Sequence, residues 1–156
     1  MAWTQPKTWS NEPLIAGDMN THIRDNLLAL KDPVTDSYVV TGTITTTSTT
    51  LVSISANLEF TITTTGGDVM VGIFGRIRGV TGTPYFDIEV DGVDYFKTAS
   101  GANEMGSFET NTGVPGFMAL IEGLPAGSHT FKFKFRITAG TLSIYAGTQA
   151  WVREVS

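Results

Sequence analysis

The chain predicts an all-β domain of sandwich or barrel type behind a short helical N-terminal segment. Three observations lead there: apolar residues recur with period two from Ser37 onward, glycine and proline turns interrupt that pattern at short intervals, and helical spacing occurs ahead of it, before residue 34. Eight or more short strands with no helix between them build a core by burying one sheet face against another. A chain of 156 residues can bury roughly 70% of the surface it exposes when unfolded, so a single core needs no covalent staple. The expected organisation is an arm and helix over 1–34 and a β domain over 35–156.

The first fifteen residues hold Trp3, Pro6, Trp9 and Pro13. Proline fixes φ and biases the residue before it away from helix, so an extended arm is expected. Its indoles need a surface, supplied by a neighbouring subunit or by this chain's own β domain. Asp18 is placed to cap a helix over Met19–Lys31, and Pro33 stops it. Met19, Ile23, Leu27 and Leu30 share one face, with Asn26 near the seam, and Leu14 and Ile15 extend the apolar surface toward the arm. A helix this short is marginal alone. Its stripe either docks on the β domain or bundles with the stripe of other copies, where a polar Asn26 would set register.

The strands follow in order. Thr41–Thr50 is dense in threonine, which favours edge strands and turns. Leu58, Phe60 and Ile62 alternate with polar residues. After the Gly66-Gly67 turn, so do Val69, Val71, Ile73 and Ile77. Phe86, Ile88 and Val90 face opposite to Asp87 and Glu89, which places both carboxylates on the solvent side; Asp91-Gly92 then supplies the positive-φ pair of a two-residue hairpin. Thr98–Pro115, rich in Gly, Asn, Ser and Thr, is the longest expected loop region. Beyond it come a strand from Gly116 to Ile121, a turn at Leu124–His129, and Thr130–Ile137. In that last run the odd positions are apolar and most even ones basic, so its faces are unambiguous. Leu142, Ile144 and Ala146 alternate again before the closing Gln149–Val155.

The run Thr8-Trp9-Ser10 through Met19-Asn20-Thr21-His22-Ile23-Arg24-Asp25-Asn26-Leu27 to Lys31 resembles the N-terminal segment of small virion proteins of tailed bacteriophages and prophages, which pair a tryptophan arm with such a helix. The run from Leu124 to Ile144 and the terminal Trp151-Val152-Arg153-Glu154 resemble the last strands of trimeric jelly rolls related to tumour necrosis factor and C1q. The two resemblances imply an antiparallel jelly-roll sandwich, a homotrimer, and a place in the virion. They carry over no binding site.

Composition narrows the chemistry. With no cysteine, neither a disulfide framework nor a thiolate metal site is available. A net charge of −5 disfavours binding to phosphate backbones, so nucleic acid is not an expected partner. No window approaches the ~18 apolar residues of a membrane span, so membrane insertion is not expected either. His22 and His129 are the only histidines, and neither has a ligand partner at helical spacing. His129 is expected to hydrogen-bond a turn, and His22 to cap or line the helix.

Asp87, Glu89, Asp91 and Asp94 form an acidic hairpin without EF-hand spacing or an apolar pocket to raise one carboxylate's pKa. Lys132, Lys134 and Arg136 form a basic row, with Arg76 and Arg78 as candidate companions. It pairs with an adjacent acidic strand or grips an acidic partner. Met70, Phe74, Tyr145 and Met118 or Leu120 project from the nominal outside as a subunit contact or a second layer. No nucleophile elbow or phosphate loop occurs, so no enzyme activity and no cofactor are expected.

The expected function is that of a virion structural protein fastened to a capsid, neck or tail component through Trp3, Trp9, Leu14, Ile15, Met19, Ile23, Leu27 and Leu30. The alternative is an adhesin that holds a host-surface glycan with Tyr95, Asn103, Phe108 and Asn111.

Overall fold

The computed structural model describes residues 15–24, 27, 33–96, 106–107 and 116–155. Ala16–Met19 forms α1, and Asn20–Arg24 continues it as a π-helical turn. This helix begins three residues earlier than Asp18 suggests. Ile15 occupies the cap position with extended backbone and no side-chain capping bond, and Asp18 lies inside the first turn, where a carboxylate acts on the unsatisfied N–H groups through the helix dipole instead.

Thirteen strands follow among the described residues: β1 (Thr35–Val39), β2 (Ile44–Thr46), β3 (Val52–Ser53), β4 (Glu59–Thr64), β5 (Gly67–Phe74), β6 (Ile77–Val80), β7 (Pro84–Val90), β8 (Val93–Asp94), β9 (Gly106–Ser107), β10 (Gly116–Leu124), β11 (Gly127–Ile137), β12 (Thr141–Ile144) and β13 (Gln149–Glu154). The first sheet runs β1-β13-β5-β10. The second runs β3-β11-β7-β8, with β4 also on β11 and β9 also on β7. The third is β2-β12-β6. Every pairing is antiparallel, and the curled sheets make a jelly-roll-like sandwich.

Alternation decides which side chains go inside. On β11, His129, Phe131, Phe133, Phe135 and Ile137 are buried while the residues between them are not. Opposite them, the first sheet contributes Val69, Val71, Ile73, Ile121, Ala150 and Val152. Phe86 sits at the centre, with ring centroids 4.9 Å from Phe117 across the sandwich and 5.7 and 5.2 Å from Phe133 and Phe135 in its own sheet. Such pairs add about 0.5–1.5 kcal/mol each to plain burial.

Two turns show why particular residues are needed. Asp91 and Gly92 both take positive φ, 49° and 89°, as the hairpin between β7 and β8 requires. Gly75, at φ 153°, lets β5 leave the first sheet and become β6 of the third, and a Cβ there would lie 2.4 Å from the Thr148 backbone.

Candidate interaction surface

The helix presents an uncovered apolar line. No side chain of α1 or the π turn is buried, and Ile15, Met19, Ile23 and Leu27 are all exposed. These four are spaced by four residues. Four residues of α-helix overshoot a full circle by about 40°, whereas a π turn is wider and turns less per residue. α geometry between Ile15 and Met19 and π geometry between Met19 and Ile23 drift in opposite senses, which keeps those three residues near one face. Trp3, Trp9, Leu14, Asn26 and Leu30, expected to share this surface, lie outside the described residues.

A second apolar surface covers the outer face of the first sheet. Register puts three rows across it: Val39, Gln149, Phe74 and Gly116; Ser37, Trp151, Gly72 and Met118; Thr35, Arg153, Met70 and Leu120. Phe74 is 60% exposed and Met118 66% exposed. Gly72 is required because the Trp151 indole lies over it, 2.5 Å from where a Cβ would stand. Met70, Phe74, Met118 and Leu120 thus lie on the face that alternation assigns them. Tyr145 does not join them; it is half-buried, with the Arg76 guanidinium 4.2 Å from its ring.

The outer face of the second sheet is charged and satisfied within the chain. Lys134 bonds Glu89 at 3.1 Å and Asp94 at 2.7 Å, and Lys132 lies 3.3 Å from Glu89 and 3.9 Å from Glu59. Burial pushes the Lys134 ammonium down, but bonds to Asp94 and Glu89 outweigh it and hold its pKa above the usual lysine value. Arg136 stacks 3.9 Å over Tyr85. The basic row therefore pairs with adjacent acidic strands. Arg76 and Arg78 are not part of it, because they lie at the β5–β6 corner and on β6 of the third sheet.

Asp87 corrects the expected solvent-side placement. It is fully buried because the chain after β8 folds back over it. Its carboxylate accepts the Phe96 N–H at 3.2 Å and the Ile88 N–H at 2.8 Å. The same return half-buries Tyr95 against the core, edge-on to Phe96 at 5.0 Å. Of the four residues considered for a glycan, Tyr95 is thus half-buried against the core; Asn103, Phe108 and Asn111 lie outside the described residues.

Turn chemistry ties one end of the sandwich together. His129, buried at the start of β11, points Nδ1 at Asp91 Oδ2, 2.7 Å away, and Nε2 at the Pro125 carbonyl, 2.8 Å away. It does bond a turn, as its position at Leu124–His129 suggests, but it also reaches a second turn through Asp91. The Asp91 bond, together with Pro125, raises the imidazole pKa against the opposing effect of burial. Burial pushes Asp91 up, yet its bonds to His129 and the Thr130 N–H, with the imidazole charge, leave it below the usual carboxylate value. Glu154, also buried, accepts the Thr65 N–H and hydroxyl at 2.7 and 2.8 Å. In the sequence Glu154 is simply the even member of a short alternating strand, so nothing there marks it.

Among the described residues no group of three or more His, Cys, Asp or Glu could hold a metal ion. None of their helices is long and apolar enough to cross a membrane. No protein-family model matches the chain, and no curated protein matches it either.

Proposed function

We propose that this chain is a non-enzymatic structural protein of a tailed-bacteriophage particle, a homotrimer fastened to a capsid, neck or tail component by its N-terminal arm and helix. One observation carries the reading: Ile15, Met19 and Ile23, four residues apart along the helix, are exposed rather than covered by the β domain, and so is Leu27. An apolar line held in water needs a partner surface. The likeness of residues 8–31 to phage virion segments supplies the kind of partner.

The apolar outer face of the first sheet fits the same picture. In a cyclic trimer, Phe74, Met118 and Leu120 would pack near the axis while the internally paired charges of the second sheet stay outward. The stoichiometry follows the likeness to trimeric jelly rolls.

Cryo-electron microscopy of the particle carrying this chain tests the proposal. The expected result is three-fold density at a capsid, neck or tail site with Ile15–Leu27 against a neighbouring protein. Density at a fibre tip, with residues 97–115 turned outward, would replace it with the glycan-binding adhesin. Absence from the particle would overturn both.

A further inference from the structure

Both ring nitrogens of His129 face atoms that cannot donate a proton. Asp91 Oδ2 is a carboxylate oxygen and the Pro125 oxygen is a backbone carbonyl, at 2.7 and 2.8 Å. A neutral imidazole has one N–H and one lone pair, so it can satisfy one of these acceptors and must point its lone pair at the other. Only the imidazolium satisfies both.

The acceptors belong to different turns. Asp91 opens the β7–β8 hairpin and is already stitched to β11, its Oδ1 accepting the Thr130 N–H at 2.8 Å and its own N–H donating to the Thr130 carbonyl at 2.9 Å. Pro125 lies in the β10–β11 turn, and its carbonyl also accepts the Thr64 hydroxyl at 3.0 Å. We propose that His129 is a protonation latch: as imidazolium it clasps the β7–β8 hairpin to the β10–β11 turn, and on losing its proton it releases one of them.

The surroundings suit the role. Asp91 is the charged group whose field reaches the ring; β4 presents Ile62 in register with His129 and the Thr64 hydroxyl. The hairpin it holds leads directly into the return over Asp87, so opening the latch loosens that cover. The sign is set by linkage. The closed state holds the proton more tightly than the open one, so the closed-to-open ratio is greatest at low pH, where both states are protonated. Above the open-state pKa, 6.5, that ratio falls by about tenfold per pH unit until the closed-state pKa is passed.

Nitrogen NMR of the full chain, combined with amide exchange from about pH 5 to about pH 9, reads both ends of the proposal. The expected result is a doubly protonated His129 ring at low pH. Protection of the amides of one of the two turns, Asp91 and Thr130 on the hairpin side or residues 126–128 on the other, corrected for intrinsic exchange, then falls as that ring titrates. His129→Gln removes this step. Asp91→Asn, which keeps a residue tolerant of positive φ, moves it to lower pH. A single N–H on the ring at low pH, or amide protection indifferent to the His129 titration, would overturn the latch.

Discussion

Replacing Phe74 and Met118 together by threonine removes the most exposed apolar groups of the first sheet while keeping β-favouring residues on β5 and β10. Full burial of such a side chain is worth about 1.5–3 kcal/mol relative to full exposure. Phe74 is 60% exposed and Met118 66% exposed, so covering what remains contributes about 0.9–1.8 and 1.0–2.0 kcal/mol. The double variant should thus lose about 2–4 kcal/mol of association per protomer, roughly a 30- to 900-fold weakening. Sedimentation velocity over a dilution series reads the change. Urea unfolding of the separated protomer should move by no more than about 0.5 kcal/mol, since neither side chain is in the core. A wild-type chain that stays monomeric at every concentration would refute the reasoning. So would a double variant that associates as tightly as the wild type.

Phe86→Ala should destabilise the domain by about 3–5 kcal/mol in urea unfolding, because the ring is fully buried among Phe117, Phe133 and Phe135. Lys134→Met takes the ammonium away from Asp94 and leaves Glu89 paired with Lys132 alone, 3.3 Å away. We expect a loss of about 1–3 kcal/mol in the same assay. The depressed pKa of Asp91 stabilises above its unfolded value, 3.8, and is lost as pH falls through the folded one; the raised pKa of His129 stabilises below 6.5 and is lost as pH rises through its folded value. The stability difference between wild type and Asp91→Asn should therefore be largest between those two values and shrink on either side, as a pH series of unfolding curves would read. Removing residues 1–32 should leave a cooperatively folding β domain, judged by circular dichroism and thermal unfolding. The cut spares Val34, whose carbonyl accepts the Glu154 N–H.

The sandwich was legible wherever one strand's own alternation sorted its faces. Thr130–Ile137 shows the rule best, and the Asp91-Gly92 hairpin follows from two residues that tolerate positive φ. Asp87 escaped because its burial is supplied by residues 93–96 returning over an outer face, a tertiary event that period two does not encode. The helix start is hidden because Asp18 is a good cap by residue type, while the backbone turns helical earlier. The π turn was hidden for a related reason: four-residue spacing is compatible with an α stripe that drifts and with a mixed helix that does not. Pairing of the basic row with Glu59, Glu89 and Asp94 could be anticipated from charge alternation on neighbouring strands; the Asp91–His129 contact joins residues 38 apart and carries no local signal.

Strand order in the first sheet also has a bearing on synthesis. β13 is inserted between β1 and β5, so two strands made early cannot be joined until residues 149–154 exist. From Phe74 to Gln149 the ribosome adds 149 − 74 = 75 residues, which takes roughly 4–15 s at about 5–20 residues per second. During that interval the row containing Trp151, Gly72 and Met118 is incomplete. A nascent chain stalled before β13 therefore holds β5 paired with β10 on one side only, and the other edge of β5 stands as an open template for strands of a sibling chain until residues 149–154 close it.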